Sequence, residues 1–288
     1  MGAWPPVWRT ATLSPLDYQG LAAVVRSAVE DNDRTVGIKP LKDGDRTVWR
    51  AEMQLDGATI QLVVDQQTGL VVWYSSISSS RTDTFTAAPL WGATPSPGAV
   101  AAVGTTGTQT LHDPTHTYVP SLEAAGRAAG YAPLASDLAP DGYAVKAVAT
   151  AAAGGAPVAW LVQGPRGAPN VLAGQSQVAQ LYTRGLSWFT VQQLGPAAAV
   201  KSAASLRATL QSIAGDKLSF QTATLQYGAF AGRTASTWFE ASGPTLFVSD
   251  QRHVIFITGA LTRQELVAFA EGLKPLGAGA SPSASPAP

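Results

Sequence analysis

The chain of 288 residues has no cysteine and three histidines. Without cysteine there is no disulfide framework, no thiolate nucleophile and no cysteine-bound zinc or iron–sulfur site. Charge is also scarce. Only 13% of residues are charged, about half the usual share for a soluble protein. The 19 basic and 19 acidic side chains cancel, so nothing draws a phosphate backbone from a distance, and nucleic acid is not an expected partner. No apolar run approaches the roughly 18 residues of a membrane-spanning helix. The opening MGAWPPVWRT lacks the basic and apolar regions of a signal peptide. Pro6 stands where myristoylation needs Ser or Thr.

Catalytic signatures are missing as well. GQSQV around Ser176 and GLSWF around Ser187 lack the second glycine of a nucleophile elbow. GTTGTQT is not followed by Gly-Lys-Ser/Thr, and no G-x-G-x-x-G opens a helix after a strand. In HDPTH, His112 and His116 are four apart, but Pro114 between them forbids the helix that would bring both onto one face. They read as polar residues of a connection, and no metal is expected. His253 lies in a turn. Asp65, Glu240, Asp250 and Glu265 each have a turn, edge or cap explanation. The chain is therefore read as a non-enzyme without a cofactor.

What is present is periodic and apolar. Ser14-Pro15 opens a helix in which Leu16, Leu21, Val24, Val25 and Ala28 recur at helical spacing until the DND run at 31–33. A three-stranded meander follows. RTVWRAEM puts Trp49, Ala51 and Met53 on one face, ATIQLVVD aligns Ile60, Leu62 and Val64, and LVVWYSSI comes after the turn at Gly69. Residues 92–118 are rich in Gly, Pro, Thr and Ser and read as a linker. Beyond it, helices are expected at 121–129 and 201–213. Strands are expected at 143–149, 157–163, 176–183, 186–194, 222–227, 234–241, 245–249 and 254–258. TRQE makes Thr262 the cap of a last helix with a stripe of Leu266, Phe269, Ala270 and Leu273. The tail GAGASPSASPAP has nothing to bury and is expected to be disordered.

The fold class that follows is α+β, with curved antiparallel β-sheets and covering helices in two subdomains. Residues 1–91 form the first unit, 92–118 the linker, 119–276 the second unit and 277–288 the tail. Eight tryptophans and eight phenylalanines sit mostly on strands. The apolar face of the meander must be covered by a helix, a second sheet or a ligand. Trp49, Met53, Leu62, Val64, Val72 and Trp73 are the candidate ligand-binding residues. The alternative, that the helix near residues 16–29 covers this face, stays open.

The segments DYQGLAAVVRSAV and DRTVWRAEMQLDGATIQLVVDQQTGLVVWYSS resemble the later half of LolA-type domains in actinobacterial exported proteins, including an Asp-x-x-x-Gly-Leu turn at Asp65 to Leu70. TDTFTAAPLWGATPSPGAV is similar to that family's exit from the domain. YVPSLEAAGRAAGYAPLASDLAPDGYAVKAV resembles the entry to the C-terminal domain of RseB-type regulators, with Pro140, Gly142 and Tyr143 ending its loop. LYTRGLSWFTVQQL matches that domain's strand pair at Tyr182, Gly185, Leu186, Phe189 and Val191, and the stretch from Thr237 to Leu273 resembles its closing hairpin and helix.

The resemblance implies an exported, extracytoplasmic protein whose curved sheet holds a lipid or acyl chain. It also implies an alternative, in which the chain regulates an extracytoplasmic sigma factor by binding a membrane-anchored anti-sigma factor. A hydrolase with an unrecognised site ranks third. Compared with LolA-type domains, the front half of the sheet, the export segment and a lipid-anchor cysteine are not in this sequence. Whether the chain is a remainder of a longer protein stays open.

Overall fold

The computed structural model describes residues 15–55, 58–78, 82–86, 117–151, 176–184, 187–195, 220–240, 243–250 and 252–276. The strand expected at 157–163, the helix at 201–213, the His112–His116 pair and the tail lie outside these residues. Of the expected linker, only Thr117 and Tyr118 fall within them.

The architecture is α+β and antiparallel throughout the described residues. The first sheet is a meander in chain order of β1 (Gly37–Asp43), β2 (Arg46–Leu55), β3 (Ala58–Asp65), β4 (Val71–Ile77) and β5 (Thr82–Thr86). The expected three strands are β2 to β4, and the alternation of β2 holds: Ala51, Met53 and Leu55 are buried while Arg50, Glu52 and Gln54 face out. β1 and β5 extend the sheet on both sides. β1 escapes sequence reading because GIKPLKD is exposed at every position except Ile38 and carries Pro40 at its centre, the chemistry of a protected edge.

One turn shows how the register is set. Asp65 Oδ1 accepts the backbone N–H of Gln67 at 3.0 Å and of Thr68 at 2.8 Å, and Gly69 takes φ +68°. That arrangement is an Asx-type turn. At its base the ladder slips between Val63 and Val64, so that Val71 pairs with Val64 but Trp73 pairs with Val63. The slip keeps Val71 and Tyr74 on the buried face and turns Trp73 to the other.

The helix α1 (Pro15–Glu30) covers that buried face. Leu21, Val24, Val25 and Ala28 are at most 2% exposed and pack with Met53, Ile60, Leu62 and Val64. Tyr18 and Tyr74 meet with ring centroids 5.2 Å apart. Ala23, off this stripe, is equally buried, because the opposite side of α1 lies against the second sheet.

That second sheet runs in the order β11 (Gln221–Thr224), β12 (Thr234–Glu240), β13 (Gly243–Ser249), β14 (Val254–Gly259), β10 (Ser187–Leu194), β9 (Gln177–Arg184), β8 (Ala144–Ala151) and β6 (Thr117–Val119). β7 (Leu134–Ser136) and β15 (Leu273–Pro275) form a separate pair. Among the described residues two further α-helices follow, α2 (Leu122–Ala129) and α3 (Arg263–Glu271). One face of the sheet packs on α3. Tyr182 and Phe189 stack at 4.5 Å, and the ring of Phe269 meets both edge-on.

Two expectations need correction. Leu273 is fully buried as its stripe requires, yet it starts β15 and does not extend the helix, which ends at Glu271. The strand expected at 222–227 ends at Thr224, because Gly228 turns the chain with φ +75° and leaves Tyr227 70% exposed. The capping box is present as read: Thr262 Oγ1 accepts the Glu265 N–H at 3.3 Å and Glu265 Oε2 accepts the Thr262 N–H at 2.7 Å. Thr262→Ala is expected to cost about 1 kcal/mol, measured as a fall in urea unfolding midpoint at unchanged slope.

Buried amides tie the peripheral β7 to the second sheet. The side-chain amide of Gln193 donates to the Leu134 carbonyl at 2.6 Å and accepts the Leu134 N–H at 2.7 Å. A single side chain thereby plays the part of a neighbouring strand for a segment too short to hold itself.

Candidate functional site

The six residues singled out from the sequence do not share one surface. Met53, Leu62 and Val64 are 4%, 0% and 0% exposed beneath α1. Trp49 is half-buried at the margin of the same cluster. Val72 and Trp73 are half-buried, and the β3–β4 slip sets Trp73 on the opposite face. Helix α1 therefore occupies the space over this sheet in which an apolar ligand would sit.

The carboxylates have the structural roles expected of them. Asp250 accepts the backbone N–H groups of Arg252 and His253 at 2.7 and 2.6 Å. Glu265 closes the capping box, and Glu240 accepts the Trp238 indole N–H at 2.6 Å. The His253 Nε2 lies 3.0 Å from the Ala132 carbonyl. Among the described residues, no group of three or more His, Cys, Asp or Glu could hold a metal ion.

The structure assembles something else, centred on Arg263 at the start of α3. This side chain is 5% exposed. Its Nη1 donates to Asp33 Oδ2 at 2.7 Å and to Asp31 Oδ2 at 3.3 Å. Its guanidinium lies over the Phe239 ring, 3.8 Å from the centroid. Gln221 Nε2 of β11 also donates to Asp33 Oδ2, at 3.1 Å. The Arg263 N–H donates to Ser27 Oγ at 2.9 Å, and Arg26 reaches the Ala260 carbonyl at 3.4 Å. The polar end of α1 is thus fastened to residues 260–263, while its apolar side is fastened to the first sheet.

Burial pushes the Asp33 carboxyl up. The Thr35 backbone N–H and the Arg263 guanidinium outweigh that and hold it below the ordinary carboxylate value. Arg263 Nε and Nη2 are buried without a hydrogen-bond partner among the described residues. The stacking on Phe239 offsets part of that cost.

Beside this hub a groove of about 340 Å³ runs between β11 and α3. Gln221, Thr222 and Ala223 form one wall, Val267 and Ala268 the other, and Glu271 and Asp31 also line it. Sequence reading missed it. The DND run reads as a helix stop and TRQE as a cap, and no local signal joins Asp33 to a residue 230 positions later.

No family model matches the chain, and no curated protein matches it. Three of the solved structures similar to it are of MucB. A crystal structure of MucB is 10% identical with a TM-score of 0.25, covering 83% of this chain and 62% of that one. The Pseudomonas aeruginosa MucA/MucB complex gives 13%, 0.25, 84% and 66%. MucB in complex with MucA(peri) gives 12%, 0.25, 88% and 71%. The chain thus spans less than two thirds of the length of the first two. Likeness at this level assigns neither family nor function.

Proposed function

We propose that this chain is a non-enzymatic, extracytoplasmic binding protein of RseB-like kind, which regulates an extracytoplasmic sigma factor by binding a membrane-anchored anti-sigma factor. The observation that carries this reading is the packing of α1. A carrier of acyl chains needs a vacant apolar cavity, whereas here Leu21, Val24 and Val25 fill the concave face at 0% exposure. An open concavity between β11 and α3 is lined mainly by apolar surface, with amide, hydroxyl and carboxylate groups set along it. Apolar surface with hydrogen-bonding groups spaced along it is the kind of wall that takes an extended polypeptide. No helix among the described residues is long and apolar enough to cross a membrane, and a membrane-anchored partner would supply the location. The test is capture by the immobilised full chain from a solubilised envelope fraction of the source cells. Recovery of an anti-sigma factor is expected, and its repeated absence would sink the reading.

The apolar-ligand reading keeps one observation in its favour. Trp49, Val72 and Trp73 are only half-buried, so aromatic and aliphatic surface at the rim of the first sheet stays reachable. Native mass spectrometry of protein purified from its host checks it. A bound lipid mass supports that reading, and bare protein in repeated preparations ends it.

A further inference from the structure

We propose that β11 and the groove beside it form a docking site for an extended, basic polypeptide segment, which adds to the second sheet as a further strand. The inference rests on the polypeptide-binding reading above and assigns it a place and a chemistry.

The argument begins with edges. Among the described residues β11 is the end strand of the second sheet, with β12 as its one neighbour. An end strand presents unpaired backbone groups, and proteins blunt such edges with proline and lysine. β1, at the edge of the first sheet, is blunted in that way, with Lys39, Pro40 and Lys42 in seven residues. β11 is not: its sequence is QTAT, without proline or charge.

The direction of its backbone groups follows from the pairing. The Leu225 N–H donates to the Arg233 carbonyl at 2.9 Å and the Gly232 N–H to the Leu225 carbonyl at 2.8 Å. Residues at alternate positions, Ala223 and Gln221, therefore bond inward to β12, and Thr222 and Thr224 direct their N–H and C=O groups outward. Gln226 Nε2 already donates to the Thr224 carbonyl at 3.0 Å, which leaves Thr222 as the principal contact point.

A strand added here would run over the groove, and its alternate side chains would enter it. Their surroundings are Val267 and Ala268 on α3, with Asp31 and Glu271 as the carboxylates of the lining. Arg263 is the one cation of the lining and is engaged by both Asp31 and Asp33. The charge left facing the groove is negative, so aliphatic and basic side chains complement it and acidic ones do not.

The probe is a fluorescein-labelled hexapeptide of alternating lysine and valine with capped ends, titrated against the full chain at low salt and followed by fluorescence anisotropy. Saturable binding is expected, with the glutamate–valine counterpart about tenfold weaker or more. Thr222→Pro removes the outward N–H without touching a β11–β12 bond and is expected to weaken binding about tenfold. Thr222→Val keeps the N–H and should bind as the parent does. Glu271→Gln should weaken only the lysine peptide, and it supplies the answer should Thr222→Pro fail to fold. Equal binding of the two peptides, no binding of either, or unchanged binding by a folded Thr222→Pro would each overturn the proposal. If Thr222→Pro still captures the anti-sigma factor, the site is wrong and the broader reading stands. If the peptide binds at β11 but no anti-sigma factor is captured, the converse holds.

Discussion

Arg263→Ala is expected to destabilise the protein by about 3 kcal/mol, since removing one partner of a buried ion pair strands the other. The side chain of Asp33 is 5% exposed. Without the guanidinium it would keep only Thr35 and Gln221 as hydrogen-bond partners. Two effects hold the loss at the lower end of the range seen for such pairs. Those remaining donors solvate the carboxylate in part, and the variant also relieves the unpartnered Nε and Nη2 of Arg263. Arg263→Lys keeps the charge but loses the planar stack on Phe239 and should cost about half as much. Combining Arg263→Met with Asp33→Asn removes both charges and should recover much of the stability. Urea unfolding of the four proteins checks the series. An Arg263→Ala loss under about 0.5 kcal/mol, the size of an ordinary surface change, would show that the contact does not hold α1.

The same contact shapes the acid limb of the stability curve. A carboxyl group held below its unfolded value contributes stability that is fully present above that value and is lost as pH falls through the folded one. For Asp33 this places the loss below about pH 4, with the parent falling more steeply than Arg263→Ala. Asp65 moves in the same direction for a local reason: burial raises it, and the N–H and hydroxyl of Thr68 with the N–H of Gln67 lower it further. Its share of the acid limb should therefore survive in Arg263→Ala. That residual slope separates the turn from the hub.

What could be read from the sequence was what a short window decides. The Thr262 capping box, the alternation of β2 and β3 and the turn at Asp65 are settled by residues within a few positions of one another. β1 lacks apolar alternation because one of its edges and both its faces are largely exposed. β7 and β15 are three residues each and exist only because Gln193 and the opposite strand complete their hydrogen bonds. The apolar face of the meander was legible as a surface that must be covered. What covers it was settled only by α1, a helix buried on nearly every side because two sheets share it. The hub at Arg263 was illegible for the same reason as the groove: Asp31, Asp33, Phe239 and Arg263 gain meaning only once α1 lies against the second sheet.

That docking makes Gly243→Ala a strongly disruptive small substitution, with an expected loss of about 4 kcal/mol. Gly243 has φ +127°, a conformation that costs an L-residue about 1–3 kcal/mol. The new methyl group would run into the carbonyl oxygen of Gly259 and lie 3.1 Å from the Cα of Gly20. Both neighbours are backbone, so no rotamer change relieves the overlap, and the strands or the helix must move, at a typical 1–3 kcal/mol. Gly259 is held in place by its pairing with Phe189 and by the next residue, whose N–H (Ala260) donates to the Trp188 carbonyl at 2.8 Å. The displaced element is therefore α1, and with it the cover of the first sheet. Gly44→Ala provides the control. It also has positive φ, +60°, but nothing lies within 4 Å of its added Cβ, so it should cost only about 1 kcal/mol. Hydrogen exchange locates the damage: Gly243→Ala should lose protection in α1 and β2 to β4 while β9 and β10 keep theirs. Uniform loss across both sheets would mean that the two sheets unfold together and that the glycine contact is not where they part.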